Sequence, residues 1–565
     1  MGAMKIHSGI KILWLLALAE GLAATLLSIF WGQANGLGSR LWKAATAGDL
    51  LFWLALALGG GIFLFPPRAG RFLEPVSAWL GAASGRAALK AGLFVLGLLS
   101  AEFFLFSFMF LPEFTRWYAA WGLLLALQGG LFLSLIPRRA AAEGARWRLP
   151  SSRGFTPRQR QVLWVLAVIL ALNFFLAIPG NLHGTRDAGN FIDKGEDEVV
   201  IYPILTTMLT PGEDVRTSLY RFVEYDDYHY GYPFYLASAL VILPSRLIFG
   251  AGFADQYLVN LLLLRQLISV LPMLLSALLV TYLATRFRSL PMALMVLVLI
   301  LTLPAVVRNE RAFWHPDGMA VLCVVLTLFF LDRDRLRFGP DFYLAAVFCG
   351  LAAAIRLVGF FFFLAVAGTL AAGWLRGRGF GRMFLAGAGF AVVMGLTLLL
   401  SNPFLFDPGA RARMMDTMNQ KSGEMAQGYG DFDPHDIYHT GWSAWLPFWA
   451  KDYAAPWFLG LLALALDGAA LSRAEGGFPA LLLGWTAAMG GYMVYFVAVK
   501  SWQYGLPVFV PFFGAFAFLP GLLNRLGRRF QQQRVFHWAV TGVVWLVFLV
   551  QLAINGMGII EILKI

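Results

Sequence analysis

Apolar runs of about 20 residues recur along this chain from Leu13 to Leu552, and a run of that length crosses a hydrocarbon core as a helix. A continuous stretch such as "MALMVLVLILTL" excludes the other spanning solution, a barrel whose strands alternate apolar and polar residues. Only 13% of residues are charged while 59% are hydrophobic; a soluble domain carries about 25% charged residues. The expected fold is therefore an all-α polytopic membrane protein. Cys323 and Cys349 both lie inside apolar runs, which argues for small core residues and against a disulfide framework.

The formal net charge of +12 does not point to nucleic acid, because the Lys and Arg residues sit in short loops between apolar runs. The basic stretches "PPRAGRFLEP", "RFRS", "DRDRLRF", "RGRGFGRM" and "NRLGRRFQQQR" all fall on one face along a single self-consistent path, and that face is cytoplasmic by the positive-inside rule. The path has about fifteen crossings. Four helices lie within 1–137, a basic linker spans 138–160, a module covers 161–525, and a last helix lies in 526–565. Within the module the crossings fall near 161–179, 257–285, 290–306, 317–331, 341–355, 358–375, 383–401, 455–471, 477–498 and 503–522. Segments 180–256 and 402–454 become long outer-face loops, and Tyr232–Phe249, although apolar, is read as a helix lying in the interface.

Loops of that length are more often functional than connective. They also hold most of the acidic and histidine residues. "GEDEVVIYP" supplies Asp197 and Glu198; "VEYDDYHYGYPFYL" supplies Asp226, Asp227, His229, Tyr230 and Tyr232. A third outer turn, "RNERAFWHPDG", supplies Glu310, His315 and Asp317. There, the plainer expectation is that Asp317 caps the following helix and His315 is a polar wall residue. Trp442, Trp445 and Trp449 in the second loop either line a sugar-stacking groove or anchor the interface. Arg356 lies between "GLAAAI" and "LVGFFFF"; an ionisable group in such a run is costly and should have a partner.

The order "DEVVIYPILTTMLTPGEDVRTSLY", "YDDYHYGYPFYLASALVILPSRLIFG", "HPDGMAVLCVVLTLFF", "GLAAAIRLVGFFFF", "SNPFLFDPGARARMM" resembles the GT-C superfamily of membrane glycosyltransferases, in the branch of protein O-mannosyltransferases and lipid A aminoarabinose transferases. The resemblance covers about residues 160–525 and leaves the first four helices without a counterpart. It implies a GT-C-like transmembrane helix bundle with interfacial helices in the first outer loop. It also implies an acidic catalytic base at Asp197, with Glu198 beside it as the alternative. Carrier-phosphate contacts are implied at His229 and Arg356. Where the family carries Arg-Tyr ahead of "LP", this chain has Gln503 and Tyr504, and Lys500 is the nearby cation that the resemblance implies for the carrier phosphate at that end. Tyr202 stands in for the family's aromatic residue after the acid. With Asp226, Asp227, Tyr230, Tyr232, Glu310, His315, Asp317, Trp442, Gln503 and Tyr504 it makes up the candidate set for sugar and acceptor contact.

The chemistry calls for these residue types on its own terms. A sugar on a lipid phosphate carries a good leaving group, so a carboxylate must deprotonate the acceptor hydroxyl and cations must steady the departing phosphate. The expected function is transfer of a sugar from a polyprenyl-phosphate carrier to a lipid, glycan or protein hydroxyl, with inversion, on the periplasmic or extracellular face of a bacterial inner membrane. No nucleotide fingerprint appears. No cofactor is required, although Asp226, Asp227 and His229 leave a divalent metal open. Two alternatives stand: a lipid flippase or transporter, for which no repeat-paired polar helices are visible, and a ligase moving a whole oligosaccharide.

Overall fold

The computed structural model describes residues 155–185, 197–225, 228–311, 313–428, 439–472, 477–527 and 534–563. The four leading helices, most of the basic linker, and Asp226 and Asp227 lie outside the described residues. The described chain is helical throughout: α1 (Pro157–Leu176), α2 (Glu198–Met208), α3 (Val215–Val223), α4 (Tyr232–Phe249), α5 (Tyr257–Thr285), α6 (Leu290–Leu301), α7 (Pro304–Asn309), α8 (Asp317–Asp334), α9 (Pro340–Arg356), α10 (Val358–Leu375), α11 (Phe380–Leu400), α12 (Pro408–Gln427), α13 (Trp442–Asp452), α14 (Pro456–Ala470), α15 (Phe478–Phe496), α16 (Trp502–Leu526) and α17 (Arg534–Leu563). Seven of the described helices are long and apolar enough to cross a membrane, or eight if the bent pair α13 and α14 counts as one span. The chain is an integral membrane protein.

Local signals set the helix ends. Thr156 and Gln159 form a reciprocal capping box with Pro157 in the first turn of α1, which satisfies donors that would otherwise be orphaned. Pro304 separates α6 from α7, so the crossing expected over 290–306 is two helices. The expected loop 402–454 contains α12 and α13, and α13 meets α14 at 99°, so the crossing begins only after Ala454.

Contacts define two ends of the bundle. At one, Gln159 Nε2 donates to Arg286 O (2.8 Å), Arg286 Nη2 pairs with Asp332 Oδ2 (2.7 Å) and Arg378 Nη1 donates to Arg337 O (3.2 Å). Among the described residues, the basic loops at Arg286, Arg337 and Arg378 thus gather at one end. At the other, Arg265 Nη1 donates to the carbonyls of Asn181 (2.9 Å) and His183 (2.7 Å) just past α1. We call these the Arg286 end and the Arg265 end.

Helix α4, with its 3-10 extension to Asp255, is long and apolar enough to cross, yet its two ends are tied to the same end of the bundle. Before its first turn, Gly231 N donates to Ile355 O at the end of α9 (3.2 Å). In its last turn, Arg246 Nε donates to Leu209 O just past α2 (3.2 Å), while Tyr202 of α2 donates to Ala254 O (2.8 Å). A helix traversing the bundle would finish near Arg286. Helices α2 and α4, the start of α5, Trp314 and Phe404 instead share a second, tyrosine-rich core, distinct from the core of the bundle.

Candidate functional site

The site forms where this aromatic core meets the Arg265 end. A π-helical turn over Arg265–Val270 interrupts α5; such widening moves side chains out of α-helical register and recurs at functional sites. Here it brings Ser269 against the start of α8 and Arg265 against Glu198. A Cβ on Gly318 would lie 2.7 Å from Ser269 O, so only glycine lets α8 come this close. The approach lets His315 N donate to Ser269 Oγ (3.2 Å).

The consecutive acids Asp197 and Glu198 part company at the start of α2. Glu198 is fully buried; Arg265 donates to both its oxygens (2.9 and 2.5 Å) and Trp314 N donates to Oε1 (2.6 Å). A carboxylate so committed has no surface for an acceptor, which corrects the expectation that Glu198 is an alternative base. Asp197 precedes the helix without capping it, and its side chain is 48% exposed. Its Oδ2 lies 3.3 Å from Tyr230 Oη and 3.4 Å from His315 Nε2. The His315 hydrogen bond, above all, holds this carboxyl below the usual range, against the opposing effect of burial.

Behind Asp197 a line of polar groups runs inward. His315 is fully buried between Tyr230 Oη (2.7 Å from Nε2) and Asp317 Oδ2 (2.6 Å from Nδ1), with Phe313 stacked on its ring at 4.7 Å. The other oxygen of Asp317 accepts from Arg356, whose guanidinium lies 5.6 Å from the ring centres of both Tyr230 and Tyr504. Asp317 therefore does not cap α8, and neither it nor His315 presents a polar wall to ligand; both are supports beneath Asp197 and Arg356. Arg356 has the partner that its position demands. The chain reverses directly after it through Leu357 in the left-handed region (φ 57°).

Burial drives the Tyr230 phenol well above its ordinary pKa, so its hydrogen stays on oxygen. That hydrogen has two competing acceptors. With hydrogens on both ring nitrogens, His315 donates to Asp317 and to Tyr230, and the phenol hydrogen goes to Asp197. With Nε2 bare, it turns to the ring instead.

The remaining candidates divide. Tyr504 joins the site through Arg356. Tyr202 does not: it is buried, with its hydroxyl between Ala254 O and Asn260 Nδ2 (both 2.8 Å), and burial pushes its pKa up to about 12. Tyr232 is buried in the aromatic core, its backbone N donating to Asn402 Oδ1 (3.0 Å). His229 is exposed and Gln503 is half-buried. Lys500 donates to His439 O (2.7 Å) and Ala498 O (2.9 Å) and lies 5.7 Å from the Trp445 ring centre; burial lowers its pKa. Trp442 is exposed and donates to Tyr495 Oη (3.1 Å). Trp445 and Trp449 are core residues, neither groove nor anchor. Glu310 is 4% exposed, with Oε1 unpartnered among the described residues, and burial pushes its pKa up to about 8. Among the described residues no three His, Cys, Asp or Glu side chains converge on one point as metal ligands.

Arg265, Ser269 and Phe313 were not candidates from sequence. Arg265 carried the same signal as Arg356, a lone ionisable group in an apolar run, "LLLLRQLIS".

No protein-family model matches the chain, and no curated protein does. Among solved structures it is similar to ArnT from Cupriavidus metallidurans in the apo state, at 16% identity and a TM-score of 0.37. The match covers 68% of this chain and 64% of that one, so the chain spans less than two thirds of the length of the protein it matches.

Proposed function

We propose that this protein is a membrane glycosyltransferase of the GT-C type that moves a sugar from a polyprenyl-phosphate donor to an acceptor hydroxyl, with Asp197 as the base. The observation that carries the reading is the half-exposed Asp197 carboxylate, whose pKa is lowered by His315 and Tyr230, with the Arg356 guanidinium 5.6 Å from the Tyr230 ring centre.

Asp197 takes the proton of the acceptor hydroxyl as its oxygen attacks the anomeric carbon. The bond from that carbon to the carrier's phosphate oxygen breaks, and its electron pair leaves with the phosphate. A single displacement inverts the anomeric centre. Arg356, anchored through Asp317, and the exposed His229 are the groups assigned to the departing phosphate; a fixed positive group helps most where charge develops in a partly dry site. Tyr504, Gln503 and Trp442 are assigned to sugar or acceptor. Residues 161–525 act as the catalytic module, facing the periplasm or exterior of a bacterial inner membrane.

The test is transfer in proteoliposomes holding a polyprenyl-phosphate-linked sugar and a candidate acceptor. Products heavier by one sugar, with inverted anomeric configuration by NMR, support the reading. Carrier translocation without product, or a product heavier by a whole oligosaccharide, refutes it.

A further inference from the structure

At the Arg286 end, remote from Asp197, the bundle holds a cavity of about 1180 Å³. It spans the gap between α5, α8, α10, α15 and α16. Its distance from the site follows from α8, which begins at Asp317 and is followed at once by Arg335 on the cavity wall; 18 residues of helix rise about 27 Å.

Two features of the lining define what it would hold. The inner walls are apolar and small: Ala365, Gly368, Ala372 and Ala480 line it beside Leu283, Leu364 and Phe478. Helices facing each other with Ala and Gly normally close to backbone contact in a membrane, but a Cβ on Gly368 would meet nothing within 4 Å. The space is therefore a hollow with walls that offer water few partners. Its mouth is cationic. Arg286 is engaged with Asp332 (2.7 Å), the one acid in the lining, whereas Arg288, Arg335 and Arg376 are exposed and make no side-chain hydrogen bond or ion pair among the described residues. Three uncommitted guanidiniums above an apolar hollow complement a phosphate joined to an acyl chain.

We propose that this cavity is a binding site for an anionic phospholipid, with its phosphate on Arg288, Arg335 and Arg376 and an acyl chain along Gly368 and Ala480. The site is independent of the sugar-transfer reading.

The test uses the full-length protein, stripped of lipid in detergent and titrated with phosphatidylglycerol or phosphatidylcholine of identical chains, with bound lipid counted by native mass spectrometry. The wild type should retain phosphatidylglycerol more tightly, and the combined R288Q/R335Q/R376Q variant should lose that preference, on the order of a hundredfold at about fivefold per arginine. Gly368→Phe, which fills the hollow and leaves the arginines in place, should abolish tight retention at an unchanged melting temperature. No preference in the wild type, an unchanged preference in the arginine variant, or undiminished retention in Gly368→Phe would each overturn the proposal. Excess inorganic phosphate should leave the lipid bound; displacement would assign the arginines to a free phosphate and overturn the lipid.

Discussion

Glu198 and Arg265 meet at two points, 2.9 and 2.5 Å, with both side chains out of contact with solvent, while Asp197, one residue before, is left half-open. Removing one member of such a pair strands the other's charge, at about 3 to 5 kcal/mol. Glu198→Gln should therefore lower the melting temperature markedly, and the protein that remains folded should keep its turnover. Asp197→Asn should do the reverse: a melting temperature lowered far less than by Glu198→Gln, and transfer reduced by about 10² to 10⁴. Thermal unfolding beside single-turnover transfer separates the two. Loss of turnover in folded Glu198→Gln, with Asp197→Asn active, would reassign the base.

His315 is the main group depressing the Asp197 pKa. A depressed carboxyl is ionised over a wider range, so the base should be competent throughout neutral pH and lose activity only as pH falls through its lowered value. The stability that this interaction contributes has the same sign: present above the unfolded pKa and lost on acidification. His315→Gln keeps a polar group but removes the ring that hydrogen-bonds Asp197. The acid limb of kcat/KM should move to higher pH; an acid limb that stays put would disconnect His315 from Asp197.

Arg356 is paired with Asp317 and, in the proposed reading, also takes the donor phosphate, so its truncation has two costs. Arg356→Ala leaves the buried Asp317 carboxylate uncompensated and should destabilise by about 3 to 5 kcal/mol. Arg356→Lys retains the charge and should recover most of that stability. It should still raise the donor KM, because an ammonium cannot reproduce the planar fork that grips a phosphate. A lysine variant with wild-type KM would remove Arg356 from donor binding.

Gly231 fixes how Tyr230 enters the site. A Cβ there would lie 1.6 Å from Ala354 O, inside any allowed contact, so Gly231→Ala must push α4 away from the end of α9. That shift also breaks the Gly231 N to Ile355 O bond and pulls Tyr230 off His315. The expected result is loss of transfer with a lowered melting temperature, whereas Gly368→Ala, in open space, should change neither.

Much of this was written in the sequence at the level of segments, because transfer into lipid is decided by runs of residues and charge placement by loops. The described basic loops at Arg286, Arg337 and Arg378 gather at one end, and Tyr232–Phe249 returns to the end from which it starts. What the sequence left open was which polar side chains spend themselves on one another. Asp197 and Glu198 are adjacent acids in the sequence; Arg265, 67 residues away, sets them apart by taking both oxygens of Glu198. Tyr202 stands at the family's aromatic position after the acids, but Asn260 and the Ala254 carbonyl take its hydroxyl. Asp317 had the position of a cap, yet Arg356 from another helix claims one oxygen and His315 the other. Long-range pairings of this kind carry no local signature.

Glu310 makes the sharpest case for a pH-dependent stability unconnected with chemistry. It follows α7, 4% exposed, with one carboxyl oxygen unpartnered among the described residues, and burial lifts its pKa from 4.5 to about 8. The folded state therefore holds a proton that the unfolded chain releases near its ordinary value. Stability from this residue is greatest below pH 4.5, declines as pH rises between 4.5 and about 8, and reaches its floor above that. Glu310→Gln replaces the carboxyl with a group that never ionises. Its melting temperature should match the wild type at pH 5 and exceed it by several degrees at pH 9, where the wild type must bury a charge or deform to hydrate it. Equal melting curves at both values would mean that Glu310 reaches solvent or a partner in the folded protein.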